Sequence, residues 1–156
     1  MDLIKKDITE DQIKGAIGRL KKAGIIAMGY AIIGFPDDTM ADLKKTRDKI
    51  FDFDPHALQL SFATPLPGSR LYETCVQKDL IATDSWDDYT FLRRSIIRNS
   101  SISRGELEEL RRGIIKEFYF RPKKIFELST FLAFTTKPDY LNCFKAFLKI
   151  ISNIGK

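Results

Sequence analysis

The residues best suited to bind a ligand form a short loop, Gly34-Phe35-Pro36-Asp37, which follows an uncharged apolar run at 25–33. Such a run is typical of a parallel strand that is covered on both faces. Glycine permits backbone conformations that other residues avoid, and it lets a ligand come close to the chain. Proline cannot donate to a sheet ladder, so strand pairing is predicted to end near Pro36. Because ligands of parallel sheets lie at the carboxyl ends of the strands, this loop is the first candidate site.

Polar side chains also lie within a second predicted strand, at 57–63. Apolar residues alternate there with Gln59 and Ser61, so the two kinds of side chain fall on opposite faces. In a barrel or half-barrel, a polar face of a parallel strand often lines the ligand site. An edge strand whose polar face meets solvent gives the same pattern, and both interpretations stay open at this point.

The nucleophiles and bases of the chain fit structural roles better than catalysis. His56, the only histidine, lies at the amino end of the second strand, away from the expected site. No histidine is placed to activate Ser61 or Ser69, which argues against a hydrolase triad. Cys75 and Cys143 have no metal-like spacing and are predicted to be half-buried fillers. We therefore assign no catalytic residue.

Charged side chains in the middle of the chain fit surface roles. Asp87 and Asp88 could hold a metal or act as an acid-base pair, but a surface turn explains them more simply. Arg93, Arg94 and Arg98 could bind phosphate, although such clusters more often form surface ion pairs. We therefore assign no metal site.

Helix signals surround the two strands. Thr9 with Gln12, and Thr39 with Asp42, have the spacing of capping boxes. The order strand, helix, strand implies a parallel pair joined by a right-handed crossover. A further short strand is predicted at 91–97. The predicted helices span 8–23, 40–51, 70–77 and 103–121, and two more begin at Pro122 and Pro138.

The chain divides into an α/β part at 1–80, a connector at 81–102 and an all-helical part at 103–156. The helical part opens with a capping box between Ser103 and Glu106. In the helix that starts at Pro122, the residues predicted to face inward are Ile125, Leu128 and Leu132.

The basic residues are concentrated near the carboxyl terminus. The chain has a net charge of +5, and residues 111–156 hold ten Lys or Arg against three acids, a local net charge of +7. This balance fits an acidic partner, an anionic membrane surface or solvated helix faces. An amphipathic helix predicted at 138–154 either packs on the preceding helices or makes peripheral membrane contact through 138–156. No basic stripe with interleaved aromatic residues indicates nucleic-acid binding.

The length and the apolar runs bound the class of protein. A chain of 156 residues can form one domain with its own core. Nothing at the amino terminus resembles a signal peptide, and no apolar run reaches the length of a membrane span. These features predict a cytoplasmic location, with membrane contact only at the periphery.

Several segments together resemble the radical S-adenosylmethionine superfamily, and most of all the C-terminal half of its barrel. One is Gly-Tyr-Ala-Ile-Ile-Gly-Phe-Pro at 29–36, and another is Thr-Pro-Leu-Pro-Gly-Ser-Arg-Leu-Tyr at 64–72. Trp-Asp-Asp-Tyr at 86–89 and Phe-Tyr-Phe-Arg-Pro at 118–122 resemble elements of the members that carry an upstream cobalamin-binding domain. The resemblance covers about residues 8–125.

This resemblance implies an α/β fold: the C-terminal portion of a partial (β/α)6 TIM-like barrel of parallel strands, followed by an all-helical region. It also implies that the first strand lies beside the adenine of S-adenosylmethionine. Ile32, Gly34 and Asp37 match the family's Ile-x-Gly-x-x-acid pattern, in which an apolar side chain packs on the base and glycine admits its edge. The cofactor-binding residues expected on this basis are Ile32, Gly34, Phe35, Pro36, Asp37, Gln59 and Ser61.

The cluster loop of that family has no counterpart in this sequence. Members carry a [4Fe–4S] cluster on a Cys-x3-Cys-x2-Cys loop, and two cysteines cannot supply three thiolates. We therefore expect a C-terminal fragment of a cobalamin-dependent, methyltransferase-like radical enzyme, inactive alone. S-adenosylmethionine, the cluster and cobalamin would bind the full-length parent and not this chain alone. The expected partner is the missing N-terminal half of the barrel, in the same longer chain or in a separate polypeptide.

Two other interpretations remain open. The chain could be a non-catalytic binding or scaffold module from a split or degenerate gene, or a basic helical protein of the membrane surface. The α/β part argues against the second of these. The substrate, a small molecule or a lipid, has no signature in the sequence. The unpaired edge of the first strand predicts that the isolated chain is poorly soluble or self-associates.

Overall fold

The computed structural model describes residues 8–135, with side chains described from 8 to 130. Within these residues it is a mixed α/β structure of five α-helices and two strands. In chain order the elements are α1 (Glu10–Lys22), β1 (Met28–Ile33), α2 (Met40–Phe53), β2 (Ala57–Phe62), α3 (Arg70–Gln77), α4 (Arg104–Tyr119) and α5 (Pro122–Thr135). A single 3₁₀ turn, Trp86–Asp88, lies between α3 and α4. The helix predicted at 138–154 lies outside the described residues.

The first two helices begin where their capping residues predict. The Thr9 hydroxyl accepts the Gln12 N–H at 3.2 Å, and the Gln12 side chain accepts the Thr9 N–H at 2.8 Å. Thr39 and Asp42 form the same reciprocal pair at the start of α2. Each cap satisfies backbone donors that have no partner within the helix. Both predicted caps are confirmed, although α1 spans only Glu10–Lys22 and α2 continues to Phe53, slightly beyond its predicted end.

β1 and β2 are parallel neighbours, as the strand-helix-strand order predicts. The register places Met28 beside Ala57 and Ile33 beside Phe62. β1 starts at Met28 instead of residue 25, because its pairing with β2 begins there. The described residues therefore form a partial α/β fold with a two-stranded sheet.

One face of this sheet carries the main core. Ile33 of β1 is fully buried, and the alternating apolar residues of β2 are buried beside it, as predicted. The helices α2 and α4 supply the other side of this core. The buried residues of the cluster are Ile33, Leu43, Ile50, Leu58, Leu60, Phe62, Ile102, Leu107, Ile114, Ile115 and Phe118.

The opposite face of β1 is open. Met28, Tyr30 and Ile32 are 47%, 70% and 49% exposed. The prediction of a strand covered on both faces is therefore wrong for the described residues, because α2 and α4 both pack on the Ile33 side. Below, the term open face means the surface made by Met28, Tyr30 and Ile32 with their β2 neighbours Ala57, Gln59 and Ser61.

Side chains of α4 close the outer edge of β2. The Tyr119 hydroxyl donates to the Leu58 carbonyl at 3.0 Å and accepts the Leu58 N–H at 2.9 Å. Arg111 Nε donates to the Leu60 carbonyl at 2.6 Å. These bonds use backbone groups that an adjacent strand would otherwise pair. Among residues 8–135, β2 is therefore the last strand of the sheet on this side.

The segment predicted as a strand at 91–97 is not a strand. It contains a turn and one isolated antiparallel bridge, between Ile97 and Ile81. The Ser95 hydroxyl accepts the N–H of Ile97 at 3.4 Å, so a local turn competes with a sheet ladder. Phe91 still reaches the sheet, because its carbonyl accepts the last N–H of β2 at 2.8 Å.

A buried lysine anchors α5. Lys124 is 0% exposed, and its Nζ donates to the Pro55 carbonyl at 2.7 Å and to Glu127 at 2.7 Å. The same Nζ lies 3.1 Å from an oxygen of Asp54. Ile125, predicted to face inward, is 45% exposed, so that prediction is wrong. The ion pairs of Lys124 set the rotation of the helix and turn the next residue toward solvent.

The helical part otherwise follows its sequence signals. Ser103 and Glu106 form the predicted capping box of α4. In α5, Leu128 is half-buried, and the side chain of Leu132 is not among those described. Within residues 8–135, no helix combines the length and the apolar character that crossing a bilayer requires.

Candidate ligand-binding site

The loop after β1 turns through a left-handed residue. Gly34 has a φ of 84°, a region that favours glycine. A Cβ at Gly34 would lie 2.6 Å from Leu107 Cδ2 of α4, and Leu107 is itself buried. Glycine is thus required both by the backbone conformation and by the close approach of α4. Pairing ends at Ile33 and Pro36 is buried, as the sequence predicts.

The side chain of Asp38, directly after the loop, bonds back to the start of the loop. One oxygen of its carboxylate accepts the N–H groups of Gly34 at 2.8 Å and Phe35 at 2.9 Å. Burial raises the pKa of Asp38, and these two backbone hydrogen bonds oppose the rise. The first two amide donors of the loop are therefore used within the protein.

Asn99 ties the same loop to the start of α4. Its Nδ2 donates to the carbonyls of Phe35 and Asp38, both at 2.9 Å. Its Oδ1 accepts the N–H groups of Ser101 at 2.7 Å and Ile102 at 2.9 Å. The two donors and both acceptor sites of the amide are thus occupied.

Few groups of the loop remain for a ligand. Asp37 is exposed, and Ile32 is half exposed on the open face directly before the loop. The Phe35 side chain packs on a small buried cluster that contains Cys75. Phe35 and Pro36 therefore pack into the protein and shape the loop, whereas the side chains of Ile32 and Asp37 are exposed and could contact a ligand.

Gln59 and Ser61 lie on the open face beside these residues. The register pairs Gln59 with Tyr30 and Ser61 with Ile32. Gln59 Nε2 donates to Ser61 Oγ at 3.4 Å, and Ser61 is only 8% exposed. Closing the outer edge of β2 uses its backbone groups and does not cover this face of the strand.

The two layers of the open face nearest the loop offer a binding surface and no reactive group. Ile32 and Ser61 form the layer nearest the loop, and Tyr30 and Gln59 form the next layer. An apolar platform with polar groups beside it, and Asp37 at its upper end, suits a flat ligand with polar edges. Neither layer contains a nucleophile with an adjacent base, so the arrangement can hold and orient a ligand.

His56 and Cys75 occupy structural positions. His56 Nδ1 accepts the N–H of Ala27 at 3.0 Å, and burial lowers the pKa of the imidazole. Cys75 is 0% exposed, more buried than predicted, and burial raises the pKa of its thiol. A thiol held protonated in the core is a poor nucleophile.

A separate cleft of about 510 Å³ lies between the segment at 87–94 and the first turns of α4. It is lined by Asp87, Asp88, Thr90, Arg93, Arg94, Arg104 and Glu108. Three acids thus face three arginines, so no net charge favours phosphate. Arg94 pairs with Asp88, and Arg98 pairs with Asp79, which confirms the ion pairing predicted for these two arginines. In the described part of the chain, no group of three or more potential metal ligands comes together.

Two residues that organise the site, Asp38 and Asn99, carry little signal in the sequence. The acid of the Ile-x-Gly-x-x-acid pattern falls on Asp37, so the pattern gives no role to its neighbour Asp38. Asn99 lies in a segment without periodic apolar residues. Its only signal is that asparagine before a Ser-rich stretch often bonds to a nearby backbone, and this does not reveal the distant loop that it holds.

Comparisons with known proteins bear on this site. The chain is 33% identical over 123 residues to an uncharacterised methyltransferase of Pyrococcus horikoshii, a match that covers 79% of this chain and 27% of that protein. It is 29% identical over 150 residues to the anaerobic magnesium-protoporphyrin IX monomethyl ester cyclase of Rubrivivax gelatinosus, covering 96% of this chain and 26% of the cyclase. The cyclase of Cereibacter sphaeroides is 27% identical over 149 residues. No protein-family model matches the chain.

The chain thus spans about a quarter of the length of the curated relatives that it matches. Their names and their modest identities suggest the radical S-adenosylmethionine superfamily, or a methyltransferase-like enzyme.

Proposed function

We propose that this chain forms the adenine side of the S-adenosylmethionine site of a radical enzyme. The observation that carries the proposal is the exposed Ile32 beside the Gly34–Asp37 loop, at the carboxyl end of a parallel strand. Adenine would pack on Ile32, and its polar edge would meet the loop backbone and Asp37. Gln59 and Ser61 would line the same space from β2.

The residues of this chain do not fit an iron–sulfur cluster. The sequence has two cysteines, and the one that is described, Cys75, is fully buried. We therefore propose that a separate N-terminal half-barrel holds the cluster and joins the sheet at β1, as part of one longer polypeptide or as a second one.

Methyl transfer is the reaction that we propose for the assembled enzyme, because one relative is named a methyltransferase. When bound, S-adenosylmethionine and the cluster would supply radical chemistry, and cobalamin held outside this chain would carry the methyl group. The residues described here would bind the adenine, orient it and exclude water from its apolar side. None of them would make or break a bond.

Two matched variants test this proposal in the complex of this chain with the cluster-bearing half. Ile32→Ala removes the platform, whereas Met28→Ala removes a side chain of similar exposure from the amino end of the same face. Ile32→Ala should weaken S-adenosylmethionine binding about tenfold, the effect of losing most of one buried aliphatic contact. Met28→Ala should leave the affinity unchanged.

The same complex, compared with the chain alone, distinguishes an adenine site from a scaffold module. The chain alone should contain no stoichiometric iron and sulfide after anaerobic reconstitution, while the complex should contain both. A complex that binds the cluster but not S-adenosylmethionine, or equal losses in the two variants, would reject the adenine site and favour a scaffold module.

A further inference from the structure

The candidate loop is joined at two points to α4 and to the turn that precedes it. Gly34 lies against Leu107, in the first turns of α4. Asn99 joins the carbonyls of Phe35 and Asp38 to the N–H groups of Ser101 and Ile102, just before α4 begins. The loop and the start of α4 therefore form one hydrogen-bonded unit, although more than sixty residues separate them in sequence.

The two bonding groups of Asn99 serve different ends of this unit. Its nitrogen holds the loop, and its oxygen holds the turn at Ser101 and Ile102. The carboxylate of Asp38 fixes the loop amides from within, and it makes no described hydrogen bond to α4 or to the turn at Ser101 and Ile102. Among the described hydrogen bonds, Asn99 supplies the link between the loop and that turn.

We infer that Asn99 is a positioning residue that holds the Gly34–Asp37 loop in its ligand-binding shape and couples the loop to the start of α4. This inference rests on the proposed adenine site. With both Phe35 and Asp38 carbonyls fixed, the segment between them cannot rotate its peptide planes freely. Asp37 and the unbonded backbone groups of the loop then stay directed at the ligand before it arrives, which reduces the ordering cost of binding.

Asn99→Asp separates the two roles of the side chain. The carboxylate keeps an acceptor for the N–H groups of Ser101 and Ile102 but has no donor for the loop carbonyls. Asn99→Ala removes both sets of bonds. Ser100→Ala, at an exposed neighbouring position, is the matched control.

Binding and turnover are measured in the complex of this chain with the cluster-bearing half, with S-adenosylmethionine as the probe. Asn99→Asp should raise the KM for S-adenosylmethionine about tenfold, as expected for the loss of two hydrogen bonds, and should leave kcat within about twofold. The adenine contact is the same in the ground state and the transition state, which is why the two constants separate. A general loss of folding would instead lower the active fraction, and kcat with it.

Hydrogen exchange provides a second readout. In the wild type, S-adenosylmethionine should slow exchange of the amides of Ser101 and Ile102, because the loop and the turn are ordered together. In Asn99→Asp these amides should keep their basal protection but lose the response to the ligand. Ser100→Ala should behave as the wild type.

The possible results distinguish the inference from its premise. If the wild-type complex binds no S-adenosylmethionine, the proposed function fails, and this inference fails with it. If the wild type binds and Asn99→Asp keeps both its KM and the ligand response at Ser101 and Ile102, the adenine site stands and the positioning role of Asn99 is rejected.

Discussion

Replacing Gly34 with alanine tests the most constrained point of the candidate site. The backbone at Gly34 has a φ of 84°, and a Cβ there would lie 2.6 Å from Leu107 Cδ2. The left-handed conformation costs a residue with a Cβ about 1–2 kcal/mol. Overpacking against a buried side chain adds about 1–3 kcal/mol. Leu107 is 3% exposed and cannot turn aside into solvent. Gly34→Ala should therefore lower the free energy of unfolding by about 2–5 kcal/mol.

A second glycine separates the two contributions. Gly68 has a φ of 81°, and a Cβ there would meet no heavy atom within 4 Å. Gly68→Ala should therefore carry the conformational cost alone, about 1–2 kcal/mol. The free energy of unfolding of both variants is measured by urea titration. In a Leu107→Ala background the difference between them should disappear, because the clash has been removed. If Gly34→Ala costs no more than Gly68→Ala, the close approach of α4 to the loop is refuted.

Three further predictions concern the frame of the site. Tyr119→Phe should lower the free energy of unfolding by about 1–3 kcal/mol, because the N–H and carbonyl of Leu58 lose their partner. Tyr30→Phe, at an exposed position, is the control. Equal losses in the two variants would contradict the role of Tyr119 in closing the edge of β2. Because burial lowers the pKa of His56, the folded protein should lose stability as the pH falls below about 6.5, and His56→Asn should flatten that slope in urea titrations at several pH values. The isolated chain should self-associate at micromolar concentration through β1, and Tyr30→Lys should shift it toward monomer in size-exclusion chromatography; a wild-type monomer would oppose this reasoning.

Local signals in the sequence predicted the elements well. The capping pairs at Thr9, Thr39 and Ser103 each lie at the start of a helix, because their bonds involve only neighbouring residues. The parallel pair of strands was also predictable, since a strand-helix-strand unit leaves few alternatives. The sequence indicates a special backbone conformation at Gly34, but the second reason for glycine there, the approach of Leu107, depends on packing.

Two errors arose where distant residues decide the outcome, whereas the strand predicted at 91–97 is replaced by a local turn at Ser95. Ile125 follows an inward pattern, yet Lys124 is drawn into the protein by the carboxylates of Asp54 and Glu127. The apolar run before Gly34 indicates burial on both faces, yet the described helices cover only one. An apolar run indicates which side chains of a strand favour burial. It does not indicate whether they are buried by residues of the same chain.

The two edges of the sheet differ, and this difference bears on how the candidate site could be completed. Along β2, Tyr119 and Arg111 occupy the backbone groups that another strand would use, and the chain then continues into helices. Along β1, no strand of residues 8–135 pairs on the other side. A sheet with one closed edge grows from the other, so the proposed half-barrel would add its strands next to β1. A ligand on the open face would then be held between this chain and the added strands, and its affinity would depend on both. This dependence is the physical reason to measure binding in the complex, where the contribution of Ile32 can be compared with that of Met28 on the same strand.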